Sequence, residues 1–264
     1  MNDRLNIVVP MAGRGSRFQA AGFHKPKPLL EVGDKAMIEL VIENLRPQQH
    51  HRFVFICQAE HVERYGLHEK LETWAPGCAV VELDGVTEGA ACTVLKAREY
   101  FDNDAPLMIA NSDQYVDYDI NRYLADMTAP RALDGLIMTM WADDPKWSYV
   151  ELSDAELATR VVEKEVVSDC ATVGVYNFAQ GKDFVSAAER MIAQELRVNG
   201  EFYVAPVYNL MIEGGARIGV HAVGAVADGM YGLGTPDDLK AFLETQVARH
   251  VTQRHQTDDR AQAG

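Results

Sequence analysis

Apolar runs of strand length alternate with apolar positions at helical spacing through the first half of the chain. Leu5, Ile7, Val8 and Val9 form one run, and Arg52-Phe53-Val54-Phe55-Ile56 a second. Ala79-Val80-Val81-Glu82-Leu83 is a third and Leu107-Met108-Ile109-Ala110 a fourth. Between them Met37, Leu40, Val41 and Leu45 recur at helical spacing, and Val62, Tyr65 and Leu71 do so less regularly. Strands and helices in alternation predict an α/β fold, a mainly parallel sheet covered on both faces. Ligands on such sheets sit at the carboxyl ends of the strands. Two loops are expected there: residues 13–17, and Asn111-Ser112-Asp113-Gln114.

The rhythm changes in the second half. Residues 134–141, 149–152, 160–163 and 172–176 read as short strands separated by turn-rich residues, which predicts a small mixed or antiparallel sheet appended to the first. Helices are expected over 182–196, around 203–212 and over 237–249. The last begins at Thr235-Pro236-Asp237-Asp238, with a capping Thr, Pro in the first turn and acids near the positive end of the dipole. From about Thr252 the chain is polar and charged, and residues 252–264 are expected to be a disordered tail.

Composition narrows the function classes. The chain has 264 residues, 47% of them hydrophobic, enough for one large α/β domain or two small ones with a real core. Its net charge is 25 − 39 = −14, which argues against nucleic acid and anionic membrane as partners. Cys57, Cys78, Cys92 and Cys170 are widely spaced with no C-x-x-C pair, as expected of reduced thiols in a cytoplasmic protein. The first apolar run is short and ends at Pro10, unlike a signal peptide, and no run is long enough to span a membrane.

Against that acidic background, the stretch VPMAGRGSRFQAAGFHKPKPLLEV (9–32) concentrates Arg14, Arg17, Lys25 and Lys27 around Gly13 and Gly15. Glycines let backbone N–H groups approach an anion closely. Arginine then neutralises charge through forked hydrogen bonds and lysine as a point charge. The natural ligand is a triphosphate. A dinucleotide loop would need G-x-G-x-x-G opening a helix, but Phe18 stands at the third glycine and the next residues do not read as a helix start. A Walker loop would need a lysine directly after a glycine, which neither glycine has.

What remains is G-x-G-x-R, then Lys27-Pro28-Leu29-Leu30, then Asp34-Lys35-Ala36-Met37-Ile38. This order resembles the nucleotidyltransferases that activate sugar phosphates and related phosphate monoesters, the pyrophosphorylase family. The resemblance runs from Ile7 to about Leu243. It implies a Rossmann-like (GT-A-like) sheet with a small acceptor-binding subdomain. The single domain, 1–251, would divide into a nucleotide-binding part (about 1–133), an acceptor-binding part (about 134–223) and a closing segment (about 224–251). It also implies the reaction NTP + phosphate monoester → NDP-product + pyrophosphate, with Mg²⁺ as cofactor and no enzyme nucleophile.

Residue by residue, the resemblance makes Arg17 and Lys27 catalytic and gives Met11, Ala12, Gly13, Arg14, Gly15 and Ser16 to the nucleotide. Thr87-Glu88-Gly89-Ala90-Ala91 looks like the family's base-reading helix start, bringing in Glu88 and Gly89. Asp84, just upstream, would accept a hydrogen bond from an exocyclic amine, which favours CTP over dTTP or UTP. Asp113 is the expected Mg²⁺ ligand, with Ser112 beside it. Val162-Glu163-Lys164 resembles the family's E-K-P segment, so Glu163 and Lys164 would hold the acceptor with Ser148, Tyr149 and Gly174. Where the family carries a second metal Asp this chain has Gly232, and Asp228 is the substitute to test. The members with M-A-G-x-G and N-S-D-Q look like enzymes for capsule or lipopolysaccharide precursors, and such a protein is expected as a monomer or homodimer. Two alternatives stay open: a GT-A-type glycosyltransferase using Asp117-Tyr118-Asp119 at a metal, and a nucleotide-binding domain without activity, motivated by Gly232. For the first, Asp119 reads better as a helix N-cap.

Overall fold

The computed structural model describes residues 4–128 and 132–253. Thirteen described strands are β1 (Leu5–Pro10), β2 (Glu31–Val32), β3 (Lys35–Ala36), β4 (His51–Gln58), β5 (Ala79–Leu83), β6 (Leu107–Ala110), β7 (Gln114–Val116), β8 (Gly135–Trp141), β9 (Ser148–Leu152), β10 (Ala158–Glu163), β11 (Cys170–Phe178), β12 (Ile218–Val226) and β13 (Gly229–Gly232). The described helices are α1 (Ser16–Ala20), α2 (Met37–Leu45), α3 (Ala59–Tyr65), α4 (Leu67–Trp74), α5 (Ala90–Leu95), α6 (Ile120–Thr128), α7 (Gly181–Ala193), α8 (Val207–Glu213), α9 (Pro236–Leu243) and α10 (Gln246–Val251).

The expected α/β fold is there. One sheet runs β5-β4-β1-β6-β11-β8-β12-β13-β7. Its first four strands are parallel, β11 enters antiparallel between β6 and β8, and β12 is parallel to both β8 and β13. The small antiparallel piece is narrower than the sequence suggested: only β9 and β10 branch away, attached through Ala171↔Tyr149. The other second-half strands extend the main sheet. β11 makes this possible because its register shifts between Thr172 and Tyr176, so one end serves the branch and the other pairs with β6.

Alternation along β1 sets the layers. Ile7 and Val9 face a core with α2, α3 and α4 (Ile38, Val41, Val62, Leu71), while Val8 faces one with α5, α7 and α8 (Val94, Phe184, Val207). A third cluster joins Phe18 of α1 to Leu239, Phe242 and Ala248 of α9 and α10.

Several helices break where local chemistry demands it. α3 and α4 divide at Gly66, whose φ is 61°. The helix expected over 237–249 is two, because Thr245 recaps the chain through its hydroxyl on the Ala248 N–H (3.0 Å). Thr235 caps α9 as expected, accepting from the Asp238 N–H at 3.1 Å. Thr252, the first residue of the expected tail, belongs to the fold. Thr252 is buried, its hydroxyl donates to the Ala248 carbonyl (2.7 Å), and its carbonyl accepts from the Asp34 N–H (3.1 Å). The rest of that expectation, residues 254–264, lies outside the described residues.

Candidate functional site

At the carboxyl ends of β1, β5 and β6 the chain leaves a cleft of about 660 Å³, walled by Gly13, Arg14, Lys27, Thr87, Asn111 and Asp113 among others. Three segments far apart in sequence meet there, as the parallel β1, β4, β5 and β6 require.

The glycine loop follows β1. Met11 and Ala12 are buried, and the Met11 N–H is held by the Ile56 carbonyl (2.9 Å). Gly13 and Arg14 face the cleft, and a side chain at Gly13 would meet nothing within 4 Å, so its backbone is open to a ligand. Contrary to the sequence expectation, the loop does open a helix, the five-residue α1, with Gly15 before it at φ 62°. The left-handed glycine supplies the turn that periodicity over so few residues cannot reveal. Ser16 and Arg17 are exposed on α1; the Arg17 side chain makes no ion pair or hydrogen bond among the described residues and is not among the walls of the cleft. Lys25 is drawn off to Glu31 at 2.7 Å.

Lys27 carries the centre of the site. It opens a single 3₁₀ turn (Lys27–Leu29), and its Nζ lies 2.7 Å from Asp113 Oδ2. Both side chains are about three-quarters buried, at 22% and 26% exposure. Asp113 in turn is fixed by its carbonyl, which accepts from the Leu233 N–H (2.8 Å), and a side chain at Gly234 would approach its Oδ2 to 3.0 Å. Ser112 is buried beside it.

Asp228 is not a partner for Asp113. β13 runs antiparallel to β7 with Gly232↔Gln114 and Met230↔Val116, so Asp228 lies four further positions along, beyond the far end of β7. At the strand rise that is about 13 Å from the Gly232 level. Asp228 is exposed in the turn between β12 and β13, where its carbonyl accepts from the Ala225 N–H (2.6 Å). The position of Gly232 faces Asp238, whose carboxyl carbon would be 3.6 Å from an added Cβ. No group of three His, Cys, Asp or Glu among the described residues could hold a metal. A hard oxygen donor at Asp113 still suits Mg²⁺, which commonly takes one or two carboxylates and completes its shell with phosphates and water. The literal D-x-D does not serve: Asp119 Oδ1 accepts from the Asn121 N–H (2.9 Å) as an N-cap of α6.

The wall of the cleft expected to meet the base shows why Gly89 is a glycine. Its φ is 137°, and a Cβ there would stand 2.4 Å from the Phe202 carbonyl oxygen. The close approach is thus to the protein's own backbone. Glu88 turns outward to Arg197, 2.6 Å away. Asp84 is exposed and is not among the walls, whereas Val86 and Thr87 are.

The residues expected to hold the acceptor are not among the walls of that cleft; Ser148 donates its hydroxyl to Glu163 Oε2. Burial pushes the Glu163 carboxyl above its ordinary range, opposed by that hydrogen bond and by Lys164. Lys164, at φ 59°, donates to the Tyr203 hydroxyl at 2.5 Å, and this bond raises its pKa. Tyr149 does not belong here. Strand alternation turns it away from Ser148 into the core, fully buried, with its hydroxyl on the Asp144 carbonyl (2.8 Å). Gly174 acts through a neighbour: at φ 81° it leaves room for Asn111, whose Nδ2 would stand 2.2 Å from an added Cβ.

Sequence reasoning put Asn111 in a loop at the sheet's carboxyl edge without a role, and passed over Thr93 and Glu201 on the cleft walls, Tyr203 beside Lys164, and Gln58. Gln58 ends β4 and donates from Nε2 to the Ala12 carbonyl (2.5 Å) and the Gly85 carbonyl (2.8 Å). Its place at the carboxyl end of a strand was the one available signal.

The family described as "Nucleotidyl transferase" matches residues 7–198. No curated protein matches the chain in sequence. Among solved structures, a nucleoside-diphosphate-sugar pyrophosphorylase from Vibrio cholerae RC9 is 25% identical with a TM-score of 0.77, covering 90% of this chain and 100% of that one. The inositol-1-phosphate CTP transferase from T. maritima is 16% identical (TM-score 0.72, covering 95% and 96%). A UDP-glucose pyrophosphorylase from Acinetobacter baumanii is 17% identical (TM-score 0.69, covering 91% and 92%). The last two likenesses are of fold.

Proposed function

The chain belongs to the nucleotidyl transferase family, and on that premise we propose that it transfers a nucleoside monophosphate from an NTP to a small phosphate monoester and releases pyrophosphate. The observation that carries the proposal is the Lys27–Asp113 pair, facing an open glycine loop across one cleft. A lysine and a carboxylate at that place supply the two charges that an in-line attack on an α-phosphorus needs, a cation for the phosphate and an anion for a metal.

In this reading the backbone of residues 12–16 cradles the phosphates and Lys27 neutralises the attacked α-phosphate. The side chains of Arg14, on the cleft wall, and Arg17, exposed on α1, have no ion-pair partner among the described residues, and in this reading both serve the departing pyrophosphate. Mg²⁺, held by Asp113 with phosphate oxygens and water, would draw charge from the phosphates. Lys164 orients the acceptor phosphate, and Glu163 with Ser148 accepts hydrogen bonds from the rest of the acceptor. The ion pair has a consequence: a metal held by Asp113 would compete with Lys27 for the same carboxylate, and a bound triphosphate would offer Lys27 a second anion.

CTP is the proposed nucleotide, with dTTP and UTP next. Asp84 stands two residues before the wall residue Val86, and its carboxylate, turned toward the base, would select an exocyclic amine. The acceptor is a sugar phosphate or another phosphorylated small molecule. The proposed setting is the cytoplasm, in the supply of surface-polysaccharide precursors such as those for capsule. No described helix is long and apolar enough to cross a membrane.

The test is pyrophosphate release with Mg²⁺, crossing CTP, UTP, dTTP, ATP and GTP against sugar 1-phosphates, phosphocholine, glycerol phosphates and phosphorylated amino acids. Release that depends on one NTP and one acceptor is expected. Nucleotide binding with no release from any pair would favour the inactive-binder alternative, with Gly232 the residue to explain.

A further inference from the structure

We propose that Gln58 is a positioning residue that holds the base-facing loop against the nucleotide cleft, and thereby sets nucleotide affinity and selectivity. The inference rests on the nucleotide-binding reading above. β4 lies between β1 and β5, with Ile56↔Pro10 on one side and Gln58↔Leu83 on the other. The glycine loop leaves β1 and the base-facing loop leaves β5, so Gln58 stands between the two exits. A primary amide nitrogen has two hydrogens. Gln58 gives one to Ala12 and one to Gly85, joining the loops with a single side chain.

The two loops differ in how much else supports them. The glycine loop is anchored at buried Met11 and Ala12 and by the Met11 N–H on Ile56. Its far end is held by Phe18 in the third core cluster. The base-facing loop is anchored at its end, where Thr87 donates to the Gly89 carbonyl (2.9 Å) and Gly89 packs on Phe202. Its entry has no such support. Gly85 is exposed at φ 84°, with nothing within 4 Å of a Cβ position, and among the described residues its carbonyl accepts only from Gln58. Asp84 precedes it and Val86 follows on the cleft wall. Loss of the tie therefore frees the loop that reads the base, while the phosphate cradle keeps its other anchors.

The experiment compares the whole chain with Gln58→Leu and Gln58→Glu. Calorimetry in Mg²⁺ buffer measures the Kd of each of the five NTPs and, separately, of inorganic pyrophosphate, which needs the cradle alone. Gln58→Leu deletes both bonds and is expected to weaken the preferred NTP about tenfold. Gln58→Glu sets a carboxylate against two carbonyl oxygens, and a larger loss of about a hundredfold is expected. That loss shrinks as pH falls and the neutral acid regains an O–H donor. Pyrophosphate affinity stays within about twofold and the ranking among NTPs flattens. Thermal melting reports folding, and Gln58→Leu serves if the charged variant does not fold. NTP affinity near that of the unsubstituted chain in both variants overturns the proposal. So does an equal weakening of pyrophosphate, which would confine Gln58 to the cradle. Failure of the unsubstituted chain to bind any NTP overturns the nucleotide reading itself, a distinct result.

Discussion

The 2.7 Å contact between Lys27 and Asp113 joins two side chains 86 positions apart, and each has a separate task in the proposed reaction. Lys27→Met is expected to lower turnover by about 10²–10³-fold, the usual loss of one aimed transition-state charge partner. The same substitution removes the resident cation from Asp113, so Mn²⁺ should bind the ligand-free protein about tenfold more tightly, a gain that titration calorimetry can read. No gain would mean that Lys27 does not guard Asp113. Glu163 offers a pH test. Its carboxyl is raised above the ordinary 4.5 chiefly by burial, so its stabilising contribution is complete below that value and lost as pH rises through the raised pKa. Glu163→Gln should therefore raise the melting temperature at pH 7 and lose that advantage in acid. Acceptor use should fall with it if Glu163 touches the acceptor. A melting gain that does not depend on pH would count against the burial argument.

Among the elements, short glycine-bearing junctions do the aligning. Gly89 before α5 holds a backbone shape open only to glycine, with the Phe202 carbonyl 2.4 Å from where a Cβ would be. Gly89→Ala should cost about 1–3 kcal/mol from backbone strain alone and displace the 201–203 segment. Chemical denaturation measures the first, and NTP affinity the second. Gly174 bends β11 so that Asn111 can lie across it. These junctions were visible in the sequence as glycines beside motifs. Which neighbour each one admits was not, since Phe202 and Asn111 arrive from strands and loops set by distant pairing. The five-residue α1 escaped notice for a related reason: it spans little more than one turn, too short for a periodic signal, and is fixed by Phe18 packing on α9 and α10.

Across the whole molecule, the carboxyl-terminal helices pack against α1 and the glycine loop's far end. Phe242 and Leu239 pack with Phe18, and Lys35 (8% exposed) donates to the Val251 carbonyl at 2.7 Å while pairing with Glu43. Phe242→Ala should cost about 3–5 kcal/mol and also weaken NTP binding, because the helix carrying Arg17 loses its seat. A stability loss with unchanged NTP affinity would separate the two. Hydrophobic periodicity, the glycine loop and the Lys-Pro-Leu-Leu turn were enough to specify an α/β sheet with a glycine loop at its carboxyl edge, because such signals are local and depend on spacing along the chain. Tertiary structure alone decided that β8, β11 and β12 join the main sheet, that Tyr149 is core, that Asp228 stands apart from Asp113, and that Gln58 reaches two loops. Each of these depends on strand order and register between segments distant in sequence, where a single step in register or a change of neighbour redirects a side chain, and no local pattern encodes that choice.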